Sequence, residues 1–92
     1  MGKLARMSAP STEQFRDAIR AKFEAAEDLG HDSVTIRAGE LHAEIYGESS
    51  NINRMPVCCS AMIDLKREFD RYIYQPPSGK GPNLEIEYRL PR

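Results

Sequence analysis

A chain of 92 residues, with 40% apolar and 29% charged side chains, can build one modest hydrophobic core but not two. A net charge of −1 and a pI near 6.1 argue against a strongly basic polyanion binder, so any contact with nucleic acid must rest on local clusters of cations. No apolar run approaches the roughly 18 residues that span a bilayer.

The opening MGKLARMSAP carries two cations but no apolar segment, which sets it apart from a secretion signal. Residues 1–10 read as a flexible lead-in or basic arm, and residues 11–92 as the folded domain. The first element is a helix over about Thr12–Leu29. Ser11 and Gln14 stand at capping-box spacing, and Phe15, Ala18, Ile19, Phe23, Ala26 and Leu29 make one stripe at helical period. Gly30 supplies a left-handed terminator. Ser33-Val34-Thr35-Ile36-Arg37 is β-branched and alternating, hence a short strand. Ala38–Tyr46 reads as a short helix with Leu41 and Ile45 on one side. Gly47 ends it, and Glu48-Ser49-Ser50-Asn51 is turn composition.

A third helix is expected from near Asn53 to Phe69, with Pro56 in the first turn, where its missing N–H costs nothing. Met55, Cys58, Met62, Leu65 and Phe69 follow at spacings of about three and four, as an unbroken buried stripe does. The opposite face carries Asn53, Pro56, Val57, Ser60, Asp64 and Arg67. The remainder is a hairpin: Arg71–Gln75 as one strand, PPSGKGPN as its loop, then the strictly alternating Leu84–Leu90. Leu84, Ile86, Tyr88 and Leu90 share the face that must pack on the helices. The fold class is therefore α+β, with a three-helix core and a small antiparallel sheet.

The order helix, strand, helix, helix, hairpin resembles the winged-helix family of DNA-binding domains over roughly Ser11 to Pro91. The phrases GELH, NRMPVCC, PPSGKG and YRLPR also resemble a group of small prokaryotic proteins. The winged-helix resemblance implies that the strand after helix 1 joins the hairpin in a three-stranded sheet. It makes residues 38–46 and 53–69 a helix-turn-helix, 53–69 the recognition helix for a major groove of double-stranded DNA, and residues 76–83 the wing. It assigns Asn51, Asn53 and Arg54 to the helix entrance, and Ser60 and Arg67 to positions further along the same side. Lys80 falls at the wing tip and Arg71 at the hairpin base. The implied role is a transcriptional regulator or accessory DNA-binding factor. The alternative is an interaction or dimerisation module that does not touch DNA, and helix 1 is a candidate face for a homodimer.

Each feature also has a plainer meaning. Asn51 and Asn53 suit turn and cap chemistry. Arg54 suits a solvated helix entrance paired with Glu48, and Lys80 a soluble loop. Tyr72, Tyr74 and Tyr88 alternate as sheet-packing residues do. Asp64 would repel phosphates from the reading face.

Cys58 and Cys59 are adjacent, so on a helix their side chains diverge by about 100°, and no second Cys pair or suitably spaced His completes a tetrahedral metal site. Cys58 is expected in the core stripe and Cys59 at its edge, with a redox-sensitive thiol as the alternative. Two cysteines without a disulfide framework suit a reducing compartment, and cytoplasm is the expected location. No metal or cofactor is expected, and no constellation of nucleophile, base and acid points to an enzyme.

Overall fold

The computed structural model describes residues 10–47 and 53–92. Three helices and a three-stranded antiparallel sheet follow in the order α1 (Pro10–Asp28), β1 (Ser33–Arg37), α2 (Ala38–Tyr46), α3 (Met55–Leu65), β2 (Arg71–Tyr74) and β3 (Glu85–Arg89). The expected strand at Ser33–Arg37 and helix at Ala38–Tyr46 are both present. Helix α1 starts at Pro10, so Ser11 lies inside the helix rather than ahead of it.

The sheet order is β1-β3-β2, with Val34 opposite Tyr88 and Ile36 opposite Ile86 on one side, and Tyr72 opposite Ile86 on the other. The central strand shows why the alternation matters. Leu84, Ile86, Tyr88 and Leu90 are all buried, as the period of two requires. They meet Phe15, Ile19, Phe23 and Ala26 of α1, Leu41 of α2, and Cys58, Ala61 and Met62 of α3 in a single core.

Strand β1 runs directly into α2, and no side chain caps that helix. Its first free N–H groups are taken by the hairpin instead: Ala38 donates to the Leu84 carbonyl and Gly39 to the Pro82 carbonyl, at 2.9 and 2.8 Å. A Cβ at position 39 would stand 3.0 Å from that Pro82 oxygen, so any side chain there would have to push the hairpin carbonyl back.

Helix α3 corrects the expectation most. It ends at Leu65, four residues before Phe69, with Lys66 already extended. Its last carbonyls are satisfied by tertiary partners: Tyr88 Oη donates to Met62 O at 2.7 Å and Arg92 Nη2 to Leu65 O at 2.7 Å. Asp70 then turns the chain by accepting the Arg67 N–H at 2.7 Å. Phe69 is therefore 56% exposed rather than the end of a buried stripe. Leu29 is likewise 74% exposed, because α1 stops at Asp28 and the turn carries Leu29 past the core.

Candidate nucleic-acid interface

Helix α3 enters on residues held by their backbone. The Arg54 N–H donates to His42 Nε2 of α2 at 3.0 Å, and His42 is itself buried, stacked against Phe15 with ring centroids 6.0 Å apart. This bond ties the entrance of α3 to α2 and leaves the Arg54 guanidinium in solvent, with no side-chain partner among the described residues. The Met55 N–H meets Asn53 Oδ1 at 3.3 Å, so Asn53 performs the local turn chemistry open to it. Asn51 lies outside the described residues, as does Glu48.

The two cysteines explain how the loop after β2 is positioned. Cys58 is in the core as expected, its thiol against the Ala38 carbonyl at 3.5 Å. Cys59 is not at an edge: it is fully buried, because loop 76–83 covers the side of α3 that a single stripe would leave open. Its sulfur receives the Gly81 N–H at 3.3 Å and points its own S–H to the Gly81 carbonyl at 3.4 Å. Adjacent thiols, diverging around the helix, thus fasten α3 to α2 and to the loop.

Loop 76–83 is correspondingly well tied. Gly79 adopts φ +88° and donates to the Pro76 carbonyl at 2.8 Å, and Ser78 Oγ donates to the Lys80 carbonyl at 2.8 Å. Lys80 Nζ then reaches across to Ser60 Oγ on α3 at 2.9 Å. Two residues 20 positions apart in sequence, both singled out from the sequence, are brought together here.

Other members of the expected set are placed elsewhere. Arg71 is on β2 and ion-paired with Glu87 at 2.7 Å, so its charge is already matched on the sheet. The pairing holds the Glu87 carboxyl below its usual range, chiefly through the Arg71 hydrogen bond. Arg67 lies beyond the end of α3 and lines a hollow with Arg20 and Phe23 of α1, so it does not extend the helix face. Asp64 is on the exposed face, but Arg16 of α1 binds its carboxylate at 2.9 Å, which offsets the charge expected to repel phosphate. Tyr88 is buried as sheet packing requires, whereas Tyr74 is exposed. Sequence reasoning missed His42 and Arg16; the position of His42, four residues after Ala38 and three before Ile45, was the available sign.

Among the described residues no group of three or more His, Cys, Asp or Glu side chains is arranged to hold a metal ion. No described helix is long and apolar enough to cross a membrane. Comparison with protein-family models, curated proteins and solved structures finds no match.

Burial, reinforced by the neighbouring Cys59, pushes the Cys58 thiol up to about 12. Burial also raises Cys59, against the smaller opposing pull of the Gly81 N–H and Lys80. At pH 8 the Cys58 thiol is therefore almost wholly protonated, far more so than an ordinary thiol. Since the thiolate is the nucleophile, iodoacetamide is expected to alkylate both cysteines roughly a hundredfold or more slower in native protein than in denaturing urea, as read by mass spectrometry. A thiol that reacts rapidly in the native state would instead support the redox-sensitive reading.

Proposed function

We propose that this chain is a winged-helix domain that binds double-stranded DNA, as a transcriptional regulator or accessory factor in the cytoplasm. In this reading α3 enters the major groove, and loop 76–83 is the wing that rests on the backbone. The observation that carries it is the bond from Lys80 to Ser60, backed by the Cys59–Gly81 pair, which gives the wing's cation a fixed address on the exposed side of α3. Arg54 supplies a second, uncommitted cation at the helix entrance, and Arg16 covers the acid at Asp64. The element order and the pairing of β1 with β3 accord with the same reading. Ser60, Arg54 and Lys80 are the residues proposed to meet DNA; Arg71, ion-paired with Glu87, and Arg67, beyond the end of α3, are left out of that proposal.

A partner protein is the second reading. Exposed Phe69, Ile73 and Tyr74, gathered around β2, are the observation that favours it.

A mobility shift with random duplex DNA at low and moderate salt tests the proposal, using wild type and the Arg54→Ala/Lys80→Ala double variant. Wild type is expected to bind at low salt and to weaken as salt rises. The double variant should bind about tenfold or more weakly, with a log–log salt slope shallower by about two, one for each lost phosphate contact. Circular dichroism of the variant guards against a folding defect. No wild-type binding at low salt would sink the DNA reading. Unchanged binding by a folded double variant would keep DNA but move its site elsewhere.

A further inference from the structure

A hollow of about 290 Å³ lies between α1 and the end of α3, lined by Arg20, Phe23, Asp64, Leu65, Arg67 and Arg92. Its charges are unevenly committed. Arg92 is matched by Asp70 at 2.7 Å and Asp64 by Arg16 at 2.9 Å, so those two lining groups are already neutralised. Arg20 has only a loose pairing with Asp17 at 3.9 Å, both side chains being largely exposed, and such a contact holds a guanidinium weakly. Arg67 has no side-chain partner among the described residues. Two forked cations therefore border one cavity whose wall also offers Phe23 and Leu65.

We propose that this hollow binds a small phosphomonoester, its phosphoryl group between Arg20 and Arg67 and its organic body against Phe23 and Leu65. The chemistry favours this class. A guanidinium presents a planar fork of N–H donors that matches phosphate oxygens, and two forks can hold a doubly charged oxyanion without a metal. The cavity is at the small end for ligand sites, large enough for a phosphoryl group with a ring-sized body and too small for a dinucleotide. Of the lining, only Asp64 belongs to the exposed face of α3, so the site is separate from the surface proposed for DNA.

Titrating ¹⁵N-labelled full chain with inorganic phosphate and with phenyl phosphate, against chloride at equal ionic strength, tests the idea. Saturable backbone shifts are expected at Phe23, Leu65 and Arg67, with phenyl phosphate binding about threefold tighter because its ring covers the small apolar wall. In Arg20→Ala/Arg67→Ala, which removes neither core nor helix-ending contacts, saturation should be lost while the spectrum stays folded. No saturable shift with either probe, or saturation unchanged in the double variant, would overturn the proposal. Shifts confined to residues 54–60 and 78–81 would also overturn it, as they would place the anion on the proposed DNA surface. Because that surface is read by the separate Arg54/Lys80 variant, either site can fail without the other.

Discussion

Replacing Arg92 by alanine is expected to destabilise the domain by about 3–5 kcal/mol, the cost of leaving a buried carboxylate without its counter-ion. The Arg92 side chain is only 6% exposed and Asp70's is fully buried, so water cannot take over the lost contact. Arg92 has three kinds of partner at once, carboxylates, carbonyls and aromatic rings. Nη1 binds Asp70 Oδ1 at 2.7 Å and the Arg89 carbonyl at 3.1 Å, and Nη2 binds the Leu65 carbonyl at 2.7 Å. The guanidinium also lies 4.8 Å from the Phe23 ring centroid and 5.2 Å from that of Tyr88, and the Arg92 N–H reaches Glu27. Lysine, with a point charge in place of a fork, should restore only part of the loss.

Asp70 gives this prediction a pH signature. Burial alone would raise its carboxyl, but the Arg92 hydrogen bond, the Arg67 and Arg89 N–H groups and the Arg92 charge outweigh it and hold the group below 3.8. Because the folded-state value lies below the unfolded one, the stabilisation is present in full above about pH 4 and is lost as pH falls through the folded-state value. Without Arg92 two of those lowering influences vanish and burial remains, so the acid-unfolding limb should move to higher pH. Urea unfolding followed by circular dichroism at several pH values reads both effects. A loss under about 1 kcal/mol at neutral pH would mean that the pair is solvated and is not the anchor described. An apolar replacement of both partners would not restore full stability, because Asp70 also satisfies the N–H groups of Arg67 and Arg89 at 2.7 Å each.

Phe15→Ala is expected to cost a similar 3–5 kcal/mol, through lost transfer energy and the cavity left behind. Phe15 is fully buried where α1 crosses α2, beside His42 at 6.0 Å and Tyr46 at 5.9 Å between ring centroids. Its loss should spread further than its own contacts. The His42 ring would lose the surface that orients it, and with it the acceptor for the Arg54 N–H that sets the start of α3. A Phe15→Ala/His42→Ala cycle should therefore be non-additive by about 0.5 kcal/mol or more, while Phe15→Leu, which keeps most of the volume, should cost markedly less. Additive losses would show that the two rings act independently.

The contrast between α2 and α3 explains what could be read from the sequence. Around residues 33–46 the signals are local: β-branched alternation gives β1, and Gly47 with φ +90° ends α2. Both bounds could be read because the distant partners here, the Leu84 and Pro82 carbonyls, reinforce the locally signalled start of α2. The end of α3 is decided from afar. Lys66 to Phe69 continue a helical pattern, but Tyr88 and Arg92 take the terminal carbonyls from 26 and 27 positions away, while Asp70 takes the Arg67 N–H from three. Cys59 fails for a related reason. One stripe predicts burial on one side, whereas α3 is covered on two, and the second cover is a loop about 20 residues further along. Among the candidate DNA residues, Ser60 and Lys80 needed the same long-range information to be joined, and Arg71 needed it to be set aside.

The sheet order carries a consequence for how the chain reaches this state. β3 is the middle strand, yet it follows every other element in sequence, and β1 must wait for it: Ser33 and Glu87, which touch across the pair, are 54 positions apart. Closing so long a loop costs chain entropy before any pairing rewards it. Helices α2 and α3, of 9 and 11 residues, are too short to be stable on local contacts alone, and the apolar side they share with α1 has no cover until Leu84, Ile86 and Tyr88 arrive. During synthesis the domain should thus remain an open helical cluster until β3 has left the ribosome, then close in one cooperative step.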